Sequence, residues 1–308
     1  MIELHRHLEG SIRPNTIFEL RERSPLLANR SFEQIQDMMQ ITGRVDSLAS
    51  FIMRLGTKMM REVIKTDDDV YRFVLEAIED GAAEGLEMLE LRFCPGVFSP
   101  TEREVIFKAM NEASRNFDIK VGLIYCLRRD DKRDVNFQYI AEGIRLFEAE
   151  KVIGFDLAGN EKVRPNEEFA DLLVPVDDIG IPLTVHAGEA DGPHSVISAI
   201  KLLKADRIGH GTSSALSADA MKFLREENVL VECCLTSNYQ TRAIAEMDQH
   251  PIKKFLENGV PVAICTDDPI TCSTTVKSEI EKFEGFYGLN KSELEQISAY
   301  AREFTFIQ

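Results

Sequence analysis

Eight short apolar runs punctuate the chain, at 2–7, 88–93, 121–126, 152–157, 182–186, 207–210, 229–233 and 261–266. They are apolar nearly throughout and do not alternate, the pattern of strands covered on both faces in a parallel sheet. Between most of them the apolar spacing changes to that of a helix. Val70, Phe73, Val74 and Ala77 show it within 67–85, and 102–117, 138–150, 167–179 and 215–227 repeat it. Strands alternating with helices imply a parallel sheet, and eight such units predict an α/β fold closed as a (β/α)8 TIM barrel. The stretch 13–66 is too long for one crossover. It predicts a helical insertion after the first strand, several short helices over the barrel mouth, where functional lids are often built. With no internal repeat, low-complexity segment or Gly/Ser linker, residues 1–308 read as a single domain.

Composition narrows the company this barrel keeps. No apolar stretch reaches the length of a membrane span. Met1-Ile2-Glu3-Leu4-His5 does not read as a charged segment followed by an apolar one. A soluble, cytoplasmic protein is expected, with no membrane partner. A formal net charge of -16 repels polyphosphate backbones, so nucleic acid is not expected as a partner and a neutral or cationic small molecule fits better. The six cysteines, Cys94, Cys126, Cys233, Cys234, Cys265 and Cys272, lack zinc-ribbon or redox spacing and read as buried, reduced thiols. Nothing in the pattern speaks to oligomeric state.

The candidate chemistry sits just past the apolar runs, at the strand ends where barrel active sites are assembled. His5 and His7 are two apart, which in a strand turns both side chains to one face, here the interior. Neutral imidazoles placed so can hold a divalent metal. His186 closes the fifth run and offers a third imidazole. Glu189 follows it, a proton shuttle if burial raises its pKa. His210 stands between Gly209 and Gly211 at a tight strand exit that a substrate could approach. Asp267 and Asp268 are adjacent and point in different directions, so one can bind metal while the other acts from the side. Each has an ordinary alternative on its own: a backbone-bonded histidine, a solvated loop carboxylate, an Asp-Asp-Pro turn. Together, three histidines, an aspartate and an open position for water describe a catalytic zinc site better than a structural one. His194 and His250 read as helix-start residues.

In this arrangement the chain resembles the adenosine deaminase family of the amidohydrolase superfamily. The resemblance rests on six motifs in family order: His5-Arg6-His7-Leu8-Glu9-Gly10, Asp156-Leu157-Ala158-Gly159, Thr184-Val185-His186-Ala187-Gly188-Glu189, Arg207-Ile208-Gly209-His210-Gly211, Thr236-Ser237-Asn238-Tyr239-Gln240-Thr241 and Thr266-Asp267-Asp268-Pro269. It implies one Zn2+ per chain, held by His5, His7, His186 and Asp267. It implies Glu189 as the acid that protonates purine N1, with His210 and Asp268 orienting the attacking water. It also implies substrate contacts at His7, Glu9, Gly159 and Asp268. The reaction expected is hydrolysis of adenosine, or 2'-deoxyadenosine, to inosine and ammonia. An adenine deaminase, or a deaminase of another 6-aminopurine nucleoside, is the alternative, with Glu9 and the insertion as the features that decide. A metal- or nucleoside-binding barrel without turnover is the non-enzymatic one. The other zinc deaminase class, marked by H-x-E with P-C-x-x-C, has neither element here.

Overall fold

The computed structural model describes residues 1–54 and 57–308. All eight runs are strands: β1 (Ile2–His7), β2 (Met88–Phe93), β3 (Lys120–Arg128), β4 (Gly154–Ala158), β5 (Leu183–Ala187), β6 (Arg207–His210), β7 (Leu230–Cys233) and β8 (Val262–Ile264). Each pairs in parallel with the next. The ring closes through a bridge between Arg6 and Asp267, where the His7 N–H donates to Asp267 O and the Asp267 N–H to His5 O, both at 2.8 Å. This is a (β/α)8 barrel.

Three elements differ from their expected extents, each for a local reason. The run 261–266 yields a strand of only three residues, because the Thr266 N–H and hydroxyl both donate to the buried carboxylate of Glu3. The same carboxylate accepts the His5 N–H, and the β1 ladder shifts register between Glu3 and Arg6. The stretch 167–179 is a short turn, Asn166–Glu168, followed by the six-residue helix Val174–Ile179. Pro175 falls in that helix's first turn, where a missing N–H costs nothing, so it marks a start. Within 215–227, the Ser217 hydroxyl caps a fresh helix, Ala218–Glu226.

The insertion folds as short helices, Pro14–Leu20, Phe32–Met39, Leu48–Arg54 and Thr57–Val63. It is tied to the far side of the barrel by hydrogen bonds from the Ile41 N–H to Thr271 O and the Val45 N–H to Gln240 O.

Alternate strand residues feed two different interiors. Outward, toward the helices, Phe93, Tyr125 and Phe155 pack edge-on or tilted in a row with centroids 5.6 Å apart. Inward, the barrel axis holds Glu3, Glu90, Arg92, Asp156, Arg207 and Glu232, none with any exposed surface. The branched aliphatic layers that commonly fill such barrels are here replaced by paired charges.

Candidate active site

β1, β5, β6 and the turn after β8 bring their terminal side chains to one place. Ligand atoms of His5, His186, His210 and Asp267 all lie within 4.8 Å of one another. His7 Nε2 joins them, 3.3 Å from His186 Nε2 and 3.4 Å from Asp267 Oδ1. His210 and Asp267 both have φ of 65°, a left-handed conformation that non-glycine residues rarely adopt. It turns the chain sharply at the strand exits where these side chains sit.

The histidines are not equivalent, and their partners set the difference. His5 Nδ1 lies 2.5 Å from Glu232 Oε2, and His186 Nδ1 lies 3.1 Å from Asp156 Oδ1. A carboxylate at Nδ1 fixes the proton there and leaves the Nε2 lone pair for a cation. His5 Nε2 is indeed buried without a hydrogen-bond partner, 3.3 Å from Asp267 Oδ1. At His210 the order reverses. The Asn238 amide donates to Nδ1 at 2.9 Å, so the proton sits on Nε2, which faces Glu189 Oε2 at 3.7 Å. His210 is thereby set up as a donor. The donor set fits one divalent cation: imidazole nitrogens and an aspartate whose other oxygen accepts from the Ser237 hydroxyl at 2.6 Å.

Electrostatics separates the groups further. Burial and Arg92 oppose charge on His5, yet Glu232 and Asp267 outweigh them and push its pKa up to about 9. The same carboxylates favour a metal cation at that point. Burial drives His7 well down and His210 down to about 4, so both are neutral at pH 7. Burial works against charge on Asp267, but His5 and the other imidazoles hold it well below the usual carboxylate range. Burial and Asp267 push Asp268 well above that range. Glu189 is raised to about 7 by burial and by Asp267. Its Oε1 accepts from the Thr241 hydroxyl at 2.9 Å. The loop that carries it is anchored by Glu161, whose carboxylate accepts the N–H groups of Gly188, Glu189, Ala190 and Asp191.

These side chains floor a cleft that encloses about 580 Å³ when its open, solvent-filled mouth is counted. His7, His186, His210, Glu189, Asp267 and Asp268 line its base. Cys94, Arg128, Asp130 and Gly159 line the wall, and Leu48, Phe51 and Ile52 of the insertion cover it. Gly159 has φ of 104°, open only to glycine. Glu9 is 4% exposed and is not among the lining residues. Its Oε1 accepts the Cys94 N–H at 2.7 Å, its Oε2 is buried without a partner, and burial raises its pKa to about 7.

Sequence reasoning missed the layer beneath. Glu232 and Arg92 were assigned no role, and Asp156 entered only as a motif letter. Arg92 bonds Asp156 at 3.0 Å and Glu232 at 3.2 Å, tying the two carboxylates that orient His5 and His186. A signal was present: a charged residue inside an otherwise apolar run, as in Val231-Glu232-Cys233 or Leu91-Arg92-Phe93, must find its partner inside the barrel.

Fold and site define a barrel hydrolase with an imidazole and carboxylate centre at the strand ends. The chain belongs to the adenosine deaminase family, whose model matches residues 1–308. It is 34% identical over 317 residues to an adenosine deaminase of Escherichia coli, with 100% of this chain and 93% of the relative covered. Among solved structures it is similar to an Arabidopsis N6-mAMP deaminase, with TM-score 0.85, 27% identity, and 100% and 93% of the two chains covered. An adenine deaminase of Arthrobacter aurescens shares the fold, with TM-score 0.87, 24% identity, and 100% and 94% covered. The chain is therefore a hydrolytic deaminase of the purine class, and a barrel without turnover is set aside. No described helix is long and apolar enough to cross a membrane.

Proposed function

We propose that this protein hydrolyses adenosine and 2'-deoxyadenosine at C6, releasing ammonia, with one Zn2+ held by His5, His7, His186 and Asp267. One observation carries the reading: a buried carboxyl, Glu189, whose pKa is raised to about 7, stands in the cleft beside that donor set. When bound, the cation supplies the Lewis acidity that makes water nucleophilic at neutral pH. The rest falls to this chain's side chains. Protonated Glu189 delivers its proton to purine N1 as water adds at C6, so negative charge does not accumulate on the ring. The Thr241 hydroxyl occupies Glu189 Oε1, leaving Oε2 to carry that proton. His210, neutral with its N–H at Nε2, donates to the attacking water. Asp268 orients the same water from the other side and passes a proton toward the departing amine. The Gly159 backbone donates to the purine.

Charge supports a nucleoside over a nucleotide. Among the described residues that line the cleft Arg128 is the one cation, and it lies 3.9 Å from Asp130, another of them. A phosphate there would also face Asp267. The six free cysteines suit the cytoplasm.

The test is an ultraviolet assay of kcat/KM for adenosine, 2'-deoxyadenosine, adenine and N6-methyl-AMP side by side. The two nucleosides should lead. A preference for adenine would move the protein to the adenine deaminase reading, and a preference for the nucleotide would refute the charge argument. Glu189→Gln keeps the shape and removes the transferable proton. It should retain zinc while kcat falls by about 10²-fold or more. Loss of zinc together with activity would mean that Glu189 ligates the metal.

A further inference from the structure

At the opposite end of the barrel, residues 304–307 close the floor. The Thr305 hydroxyl donates to Glu90 Oε1 at 2.7 Å, as does the Phe306 N–H. Phe304 O accepts from Arg207 Nη1 at 3.0 Å, and the Arg207 guanidinium lies 3.6 Å from the Phe306 ring centroid. Two strand glycines clear the space. A Cβ on Gly154 would stand 2.8 Å from Phe306 Cδ2, and one on Gly122 would stand 2.9 Å from Ile307 Cγ1.

From this floor a line of charges runs up the axis. Arg207 Nη2 donates to Glu90 Oε2 at 2.6 Å, and Arg207 Nε lies 2.8 Å from Glu232 Oε1. The other oxygen of Glu232 is the one 2.5 Å from His5 Nδ1. Glu90, Arg207, Glu232 and His5 have no exposed surface. Glu232 is aimed at His5 by Arg207 from below, by Arg92 from the side and by the Thr184 hydroxyl, which donates to Oε1 at 3.2 Å. Arg207 is fixed in turn by Glu90 and by two tail groups, a carbonyl and an aromatic face. Water admitted at the floor would screen the Arg207–Glu232 contact, which is strong because it is dry.

We infer that residues 304–307 position His5 from the far end of the barrel, through Glu90, Arg207 and Glu232, and so set metal affinity without touching the site. This rests on the reading of His5 as a metal ligand. The tail residues are positioning residues only.

The experiment measures zinc affinity by competition with a chromophoric chelator on the zinc-loaded protein, alongside kcat and KM for adenosine. Phe306→Ala should weaken zinc binding by about 10-fold, the lower end of what loss of an outer-shell partner costs. kcat should fall with it and KM should change less than about twofold. Thr305→Val removes one donor to Glu90 at constant shape, so it should fold even if Phe306→Ala does not, and it should shift zinc affinity in the same direction. Phe155→Ala, in the layer outside the barrel, is the control that costs stability and leaves zinc affinity unchanged. Wild-type zinc affinity in both tail variants, or equal weakening in the control, would overturn the inference. A wild-type chain that binds no zinc would instead fail the metal reading and take the inference with it. Zinc binding without adenosine turnover would fail only the substrate reading.

Discussion

The same eight strands build two interiors of opposite character. Outside the barrel, between strands and helices, the residues are aromatic and aliphatic. Phe155 is fully buried against Tyr125, and a Cβ on Gly143 would stand 2.4 Å from its ring edge. Inside the barrel, buried Arg92 and Arg207 are matched by Glu90, Asp156 and Glu232. The difference teaches where stability and chemistry each reside. Apolar packing is non-directional and favourable wherever area is removed from water. Buried ion pairs give little net stability, because desolvation offsets their attraction, but they fix direction. An interior that must aim His5 and His186 needs direction more than it needs stability.

The sharpest break in that comparison comes from the site itself. His186→Ala removes one imidazole from a centre that Asp156 and Arg92 hold in place. The fold should survive, since the aliphatic layer is untouched. Zinc should be largely lost, by more than the about 10–100-fold that an outer partner costs, and nearly all activity with it. Metal analysis of the purified variant checks this, and full occupancy would remove His186 from the ligand set. The reciprocal change is Phe155→Ala. It should cost about 3–5 kcal/mol in a urea unfolding measurement, the usual loss for a buried aromatic. Zinc affinity of the folded fraction should be unchanged. A combined loss of stability and metal would mean that the two interiors are not separable.

A smaller effect probes how closely the site is packed. Gly10 does not have a positive φ, so its backbone tolerates alanine. A Cβ there would lie 1.8 Å from Asp268 Oδ1 and 2.5 Å from Asp268 Cγ. Gly10→Ala should therefore displace the Asp268 carboxyl, with kcat down about 10²-fold, the low end for a misplaced acid–base group. Zinc should be retained. In an Asp268→Gly background, which also removes the Asp268 Cβ at 2.6 Å, the same change should cost almost nothing more, because the collision is gone. Additive losses in that double-mutant cycle would show that Gly10 matters for another reason.

Fold and upper site were legible in sequence for physical reasons, and the layer below was not. Apolar runs at 88–93 or 207–210 are strands because both faces are buried, so periodicity alone locates them. His5, His7, His186, His210 and Asp267 stand at strand ends, where barrel geometry guarantees convergence. Glu232, Arg92 and Arg207 also lie in strands, but which carboxylate meets which guanidinium depends on barrel register, which no local pattern encodes. The three-residue β8 escaped notice similarly, since Glu3 intercepts Thr266 from 263 positions away. Glu189 was visible as a loop carboxylate, while its raised pKa follows from burial that only the folded chain supplies.

Glu9 gives the smallest and most discriminating test. It belongs to neither interior: it follows β1 in a short turn and lies behind Cys94, with one oxygen on the Cys94 N–H. Its other oxygen is buried and unpartnered. Burial raises the pKa of Glu9 to about 7 although Arg128, which lines the cleft, works against the rise, and Glu9 in turn helps to raise Asp268. An unpartnered buried acceptor beside a binding cleft calls for a donor, and a ribose hydroxyl is a donor that adenosine has and adenine lacks. Glu9→Ala should therefore cost adenosine about 1–3 kcal/mol in kcat/KM, the penalty for leaving a buried partner unpaired. Adenine should change by less than about twofold on that basis. Both substrates are to be compared in both proteins, with zinc content measured alongside. An equal loss on the two would restrict Glu9 to holding the Cys94 backbone, and would transfer the choice of substrate to Leu48, Phe51 and Ile52 of the insertion.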